Sequence, residues 1–296
     1  LPTISTEETL ELKQLKGTPL EYVLSRDDPK VQTTYGEVDM GSVLSYQTKN
    51  IKVMKMTDSK GCGHTSVHNP SPVKLPPEYQ ELNSPEDIDV HQTEQNTRDR
   101  DNSDEWFEAR KCRLTASNFG KVLKRKASPS EKFLSNLFCR KKSMSAPSLD
   151  YGKRNESNAK AKYLETYPAR HFHKCGLVIN KEFCFLGATP DGIVCDDNRS
   201  GIAEIKCPYT ARDYTVREAS AKINNFCLEF DQTTQLLGLK KDDEYYAQVQ
   251  GQLMITGTDF IVYTKNDIHV SRILPDIPFM NLMLCKLAEF FKAYAK

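Results

Sequence analysis

Apolar positions in this chain fall into two rhythms. Helical spacing runs through Trp106–Leu123 as a helix, a short break and a second helix. It returns over Glu131–Phe138, over Tyr151–Leu164, over Tyr245–Thr256, where glutamines stand among apolar residues, and over Phe279–Tyr294 as a closing amphipathic helix. In Tyr151–Leu164 the inward positions are Ala159, Tyr163 and Leu164, with Glu156 on the edge of that stripe. Strand-like runs occupy Leu177–Ile179, Lys181–Gly187, the residues either side of the polar run Asp196–Gly201, Phe260–Tyr263 and His269–Leu274. The polar run reads as a hairpin turn, and 209–241 reads as mixed and mostly helical. Residues before about Lys60 hold short β-prone runs at Glu21–Leu24, Ser42–Tyr46 and Ile51–Met56.

Composition divides the chain. Residues 69–77 are Pro-rich and 77–104 acidic and polar, the character of a linker. The expected organisation is an accessory region over 1–68, a linker over 69–104 and a catalytic domain over 105–296. The net charge of +1 conceals an asymmetry: Pro76–Glu105 carries ten acidic and two basic residues, Trp106–Lys174 five acidic and seventeen basic. The basic segment points to a polyanionic partner. No run approaches the roughly 18 apolar residues of a membrane helix, and no signal peptide opens the chain. The chain opens on Leu1, not Met, which reads as a fragment or a processed product. Nine cysteines without CxxC pairs read as reduced thiols of an intracellular protein, the nucleus being one compartment open to it.

The chemistry centres on Gly187–Pro208. Asp191 follows a Thr-Pro pair, and the hairpin brings it back towards Glu204. Glu204 and Lys206 lie two apart on a strand and share a face, while Ile205 points to the other. Two hard carboxylates beside an ammonium suit Mg²⁺, which takes one or two carboxylates and keeps several waters. An isolated Glu-x-Lys pair is weak; Glu156, a carboxylate on a buried edge, strengthens it, because such a group needs a metal or cation beside it. Upstream, Thr115 or Ser117 is the expected N-cap of a helix whose free N–H groups would hold a phosphate, with Arg110 completing the site and Arg113 and Arg125 adding positive charge. Gly61-Cys62-Gly63-His64 looks like half of a metal knuckle with no second ligand pair. His171, His173 and Cys175 read as solvent-exposed strand positions.

Five blocks in order carry a resemblance. They are Trp106-x3-Arg110 with Leu-Thr-Ala-Ser117; Gly152-Lys-x2-Glu156-x2-Ala159; Thr189-Pro-Asp191-Gly192; Glu204-Ile-Lys206-Cys-Pro-Tyr-Thr-x-Arg-Asp213; and Tyr245-x-Ala-Gln248-Val-Gln250. Over roughly Glu105–Lys296 the chain resembles the lambda-exonuclease-like, YqaJ-type viral recombinase family of PD-(D/E)xK nucleases. The resemblance implies an α/β (α+β) restriction-endonuclease-like core, a central mixed sheet flanked by helices, here with an N-terminal extension. It implies metal-dependent hydrolysis of DNA phosphodiesters, with Mg²⁺ as cofactor and Mn²⁺ as a substitute.

By position, Asp191, Glu204 and the Ile205 carbonyl would hold the metal, with Glu156 assisting through water or a second ion. Lys206 would orient or deprotonate the attacking water, and Gln248 would position that water or hold Lys206. Arg110 and Ser117 would bind a phosphate. The expected activity is an exonuclease on double-stranded DNA ends in recombination or mobile-element processes. An endonuclease of the same fold and a silent DNA-binding module are the alternatives. The family's ring-forming members raise a homo-oligomer and a recombination partner protein as expectations that the residues leave open. The segment 217–243 is longer and more polar than the compact phage enzymes need, and the region before Glu105 has no counterpart.

Overall fold

The structure, a computed structural model, describes residues 30–33, 36–39, 67–83, 88–138, 147–196, 199–232, 235–258, 261–265 and 269–295. The chain forms two compact units, Leu1–Met54 and Lys55–Lys296. In the first, β1 (Lys30–Thr33) and β2 (Gly36–Asp39) form an antiparallel hairpin pairing Lys30 with Asp39 and Thr33 with Gly36. The β-prone runs expected at 21–24, 42–46 and 51–56, and the half knuckle at 61–64, lie outside the described residues.

The second unit is built on a five-stranded mixed sheet. Its strands are β4 (His171–His173), β6 (Gly192–Asp196), β7 (Arg199–Lys206), β10 (Ile261–Lys265) and β11 (Val270–Ile273), in the order β11-β10-β7-β6-β4. β7 and β10 run parallel; the other pairs are antiparallel. Two small sheets flank it: β3 (Leu114–Thr115) parallel to β5 (Leu186–Gly187), and β8 (Leu228–Phe230) antiparallel to β9 (Leu237–Leu239). This is the mixed sheet and helix arrangement of the PD-(D/E)xK fold. The strands extend further into the polar run than expected, since Asp196 already pairs with Arg199.

The described helices of this unit are α1 (Val90–Asn96), α2 (Asp104–Arg110), α3 (Ala116–Leu123), α4 (Glu131–Phe138), α5 (Pro147–Thr166), α6 (Val216–Lys222), α7 (Glu244–Thr256) and α8 (Ile277–Tyr294). The larger core gathers Phe119, Ile193, Ile202, Val249, Leu253, Met283 and Leu287, joining α3, α7 and α8 to one face of the sheet. Ala159 and Tyr163 of α5 pack with Phe172, Val194, Ala203 and Ile205 on the other. The alternation of Ile202 and Ala203 between the two clusters shows the period-2 pleat of β7. Helix α7 is buried from Tyr246 to Thr256; Asp243 caps its start, accepting from Tyr245 N–H at 2.8 Å. It approaches α3 closely. A Cβ on Gly120 would lie 2.6 Å from Glu244 Cα, and one on Gly251 would lie 2.4 Å from the Phe119 ring.

The segment read as a linker is folded against this core. Val73 and Leu75 are buried in it, and Asn69 N–H donates to the Thr256 carbonyl at 3.1 Å. Asn83 donates to the Lys181 carbonyl at 2.8 Å and accepts from Cys184 N–H at 3.0 Å. Glu94 is buried, accepts from Gly176 N–H at 2.8 Å and pairs with Arg98 at 2.9 Å. Pro-rich, acidic composition misleads here because widely spaced apolar residues anchor the segment and its buried acid is neutralised within one helical turn.

Three further expectations are corrected. The 209–241 stretch is mixed but not mostly helical: after the 3-10 turn Tyr209–Ala211 and α6, the chain forms the β8–β9 hairpin. Leu177–Gly187 makes little strand, with one isolated bridge, Val178 to Ala188, and the short β5. His173 and Cys175 are buried rather than exposed.

Candidate active site

The site forms where β6 begins and β7 ends. Asp191 stands just before β6, its N–H donating to the Ala203 carbonyl at 2.8 Å across the hairpin. Its Oδ2 accepts from Ile205 N–H at 2.7 Å, so the next strand holds the carboxylate in place. Glu204 projects from β7 to the face covered by α7 and is buried, with 4% of its side chain exposed. Lys206 follows on the same face, its Nζ 2.5 Å from Glu204 Oε1 and 4.8 Å from the centre of the Tyr245 ring. Burial of such a carboxylate is costly unless its lone pairs are met. Helix α7 meets them: Gln248 Nε2 donates to Oε1 at 2.5 Å and Gln252 Nε2 to Oε2 at 2.7 Å. Gln248 therefore holds Glu204, not Lys206. Gln252 and Tyr245 belong to the same constellation. Gln252 is one of the glutamines that stand among apolar residues in this helix, and its i, i+4 spacing from Gln248 is the signal that places both on one face.

Helix α5 contributes Glu156, whose Oε1 lies 2.6 Å from Lys160 Nζ and 3.8 Å from Arg100 Nη1. Arg100 also pairs with Asp191 Oδ1 at 3.0 Å, and its Nη2 donates to the Pro190 carbonyl at 2.5 Å. Nothing in the sequence marked Arg100, which lies in the segment read as a linker. Three carboxylates, Glu156, Asp191 and Glu204, thus meet three cations, Arg100, Lys160 and Lys206.

The electrostatics follow. Burial pushes the Asp191 carboxyl up, but Arg100, Lys206, Lys160 and the Ile205 N–H together hold it below the usual carboxylate range. Burial pushes Glu204 up and the Asp191 charge adds to this; Lys206 and Gln252 oppose without cancelling it. Burial pulls Lys206 down, but Glu204 and Asp191 outweigh it and hold the ammonium protonated. In this arrangement Lys206 carries a positive charge.

Among the described residues no three His, Cys, Asp or Glu side chains form a ready metal cage. The donors present still suit a small hard cation that takes few protein ligands and keeps its waters. Asp191 and Glu204 are oxygen donors held by hydrogen bonds on their other lone pairs. Gln252 Oε1 is buried beside them and accepts no hydrogen bond from the described residues, as suits an acceptor for coordinated water.

The phosphate candidates divide. Thr115 occupies the N-cap of α3, but its hydroxyl does not cap the helix. It accepts instead from Arg110 Nη2 and Asn118 Nδ2, both at 3.3 Å. Arg110 is buried, stacked 4.1 Å from the Trp106 ring centre, and donates to Thr189 Oγ1 at 3.1 Å, tying α2 to the Thr-Pro-Asp turn. Ser117 is exposed at the start of α3, its Oγ 3.4 Å from Thr115 Oγ1. Phe107, Arg110, Lys111, Thr115, Leu137 and Phe138 line a small cleft beside it. Arg113 donates its guanidinium to the Cys184 carbonyl at 2.9 Å and the Ala109 carbonyl at 2.8 Å, bracing the backbone there. Arg125 donates to the Ser128 carbonyl at 2.9 Å and covers the Phe133 ring at 4.2 Å, bracing the α3–α4 connection.

The chain is similar to several solved structures. LHK-Exo in complex with dAMP is similar at 24% identity over 65% of this chain and 92% of that one, with a TM-score of 0.51. A second structure of LHK-Exo, an alkaline exonuclease from Laribacter hongkongensis, matches at 24% identity over 64% and 93%, with a TM-score of 0.47. The Shutoff and Exonuclease Protein from Kaposi's sarcoma-associated herpesvirus matches at 11% identity over 71% and 74%, with a TM-score of 0.44. No curated protein matches. The model of the YqaJ-like viral recombinase domain matches residues 105–259, just over half of the 296 residues, and that span includes Glu156, Asp191, Glu204, Lys206, Gln248 and Gln252. By that match the chain belongs to the YqaJ-like viral recombinase domain family.

Proposed function

We infer that this chain is a DNA nuclease, and we propose that it is a Mg²⁺-dependent exonuclease acting on double-stranded ends. The observation that carries this reading is the buried Glu204 carboxylate, gripped by Lys206, Gln248 and Gln252 beside Asp191. Any buried glutamate needs its lone pairs met; what points to chemistry is that one of the partners is an ammonium and that a second, half-buried carboxylate, Asp191, stands beside the pair.

A divalent ion held by Asp191, Glu204 and the Ile205 carbonyl would supply charge neutralisation at the scissile phosphate and a lowered pKa for bound water. The protein's own groups do the rest. Ile205 N–H and the two glutamines fix the carboxylates, so that no reorganisation accompanies the reaction. Lys206, protonated, offers positive charge to a phosphoryl oxygen as negative charge builds there. Glu156 stands by as a further acceptor. A water oxygen bonds to phosphorus as the bond to the leaving sugar oxygen breaks; the attacking water's proton passes to solvent, and the leaving oxygen takes one from solvent. Ser117 and the first N–H groups of α3 hold a second phosphate, with Arg110 behind them. LHK-Exo, an alkaline exonuclease crystallised with dAMP, is consistent with action on DNA. No described helix is long and apolar enough to cross a membrane.

The deciding experiment compares end-labelled linear duplex with closed circular duplex, each with Mg²⁺. Digestion of linear DNA alone is expected. Cleavage of circles would establish an endonuclease instead, and tight binding without turnover in Mg²⁺ or Mn²⁺ a silent module.

A further inference from the structure

Arg100 reaches the site from an unexpected place. It opens the 3-10 turn Arg100–Asn102 after α1, in the left-handed region at φ 53°, which a non-glycine residue adopts only when surrounding contacts impose it. Those contacts are visible. Glu94 accepts from Gly176 N–H at 2.8 Å, and Thr97 Oγ1 accepts from Leu177 N–H at 2.7 Å, docking the end of α1 on the chain ahead of Asp191. The turn delivers the guanidinium between two acids, 3.0 Å from Asp191 Oδ1 and 3.8 Å from Glu156 Oε1, with Nη2 on the Pro190 carbonyl. The other two cations each pair with one acid, Lys160 with Glu156 and Lys206 with Glu204. Among the described residues, Arg100 is the cation that joins two of the site's carboxylates.

We propose that Arg100 is a resident counter-cation that competes with the metal for Asp191 and Glu156, so that metal loading displaces its guanidinium. The inference rests on Asp191 being a metal ligand. A carboxylate oxygen that accepts a guanidinium at 3.0 Å cannot take a divalent ion at about 2.1 Å on the same side without expelling it. Two positive charges so close repel. Before loading, the guanidinium offsets the repulsion between Asp191 and Glu156 and keeps the empty site compact. Once displaced, it is a free cation beside the scissile bond, where a substrate phosphate is its natural next partner. The arginine thereby sets the metal concentration at which the site fills.

Direct Mn²⁺ binding to the whole chain, read by electron paramagnetic resonance without DNA, tests this. Wild type, Arg100→Gln and Arg100→Lys are compared, with Asp191→Asn to identify the site. Apparent affinity scales with the fraction of molecules whose ligands are open, so if the ion pair is closed nine times in ten, Arg100→Gln tightens Mn²⁺ binding about tenfold. Arg100→Lys, whose ammonium reaches one acid at a time, gives a smaller gain. In metal-free buffer Arg100→Gln melts below wild type, and saturating Mg²⁺ narrows the difference. Equal or weaker Mn²⁺ binding in the Gln variant overturns the proposal, and so does equal or weaker binding in the Lys variant if the Gln variant does not fold. If wild type shows no Mn²⁺ site lost in Asp191→Asn, the metal reading itself falls and the proposal with it.

Discussion

Gln252 donates its amide to Glu204 Oε2 at 2.7 Å, one helical turn beyond Gln248, whose amide reaches Oε1 of the same carboxylate. One face of α7 therefore orients both oxygens of the buried acid. Partners that orient metal-binding carboxylates typically matter 10–100-fold. Gln252→Leu, close in shape, is expected to slow single-turnover cleavage of linear duplex about 10-fold or more and to raise the Mg²⁺ concentration needed. Unchanged rate and unchanged Mg²⁺ dependence would remove Gln252 from the site.

Asp191→Asn and Glu204→Gln test the acids themselves. Each is expected to reduce turnover on the order of 10³-fold, the effect of ~4 kcal/mol of lost transition-state stabilisation. In metal-free buffer Asp191→Asn is expected to melt below wild type, because it leaves Arg100 without the charge it pairs with, and Glu204→Gln, whose ionised form burial disfavours, is expected to lose less. Full activity in either variant would sink the nuclease assignment.

The two phosphate candidates should separate in their effects. Ser117 is exposed and packs on nothing essential, so Ser117→Ala is expected to reduce the preference for 5′-phosphate over 5′-hydroxyl ends while leaving the melting temperature unchanged. Arg110 ties Trp106, Thr115 and Thr189 together, so Arg110→Ala is expected to lose the same preference and also about 1–3 kcal/mol of stability. Urea titration alongside end-labelled digestion distinguishes the two. A Ser117→Ala protein with wild-type end preference would place the phosphate elsewhere.

Acid stability should depend on Asp276. It caps α8 by accepting from Phe279 N–H at 3.2 Å, and takes bonds from Lys241 at 2.9 Å and Tyr246 at 2.7 Å. Those bonds, Lys241 first and Tyr246 next, hold its carboxyl below the usual range against the opposing effect of burial. Its contribution is complete above the unfolded-state pKa of about 3.9 and is lost as pH falls through the lower folded-state value. Asp276→Ala is expected to lower stability at pH 7 by about 1 kcal/mol, the usual cost of losing a cap. The gap to wild type should close at strongly acid pH, and a gap independent of pH would contradict this account.

Gly120→Ala probes the α3–α7 contact. The added methyl would lie 2.6 Å from Glu244 Cα, which is backbone and cannot step aside. A loss of about 1–3 kcal/mol is expected, as in other overpacked contacts, read as a lower urea midpoint at unchanged slope. A neutral substitution would show that the helices are free to part.

Much of this site is written in local patterns. The period-2 alternation put Glu204 and Lys206 on one face, the polar run marked the hairpin that returns Asp191, and a buried-edge glutamate stood out on α5. Gln248 was marked by its block, Gln252 by spacing alone. Arg100 left no local trace. Its place depends on a backbone bend at φ 53° and on contacts from Glu94 and Thr97 to residues some 80 positions away. The same long-range docking turned an acidic, Pro-rich stretch into part of the core. The bond from Arg113 to the Cys184 carbonyl, 71 residues on, likewise left no local trace. Residues 209–241 failed because short strands of three residues carry too little periodicity to be distinguished from loops or turns of helix.

The absence of side chains at Gly120 and Gly251 has a further consequence. With no methyl between them, α3 and α7 share one frame, and Ser117 at the start of one keeps a constant interval from the glutamines of the other. On the proposed reading, a strand whose end is gripped at Ser117 would meet Glu204 at a spacing built into the backbone, and the protein would carry its own gauge. Products of one uniform length are the expected sign, and a ragged ladder would speak against a fixed gauge.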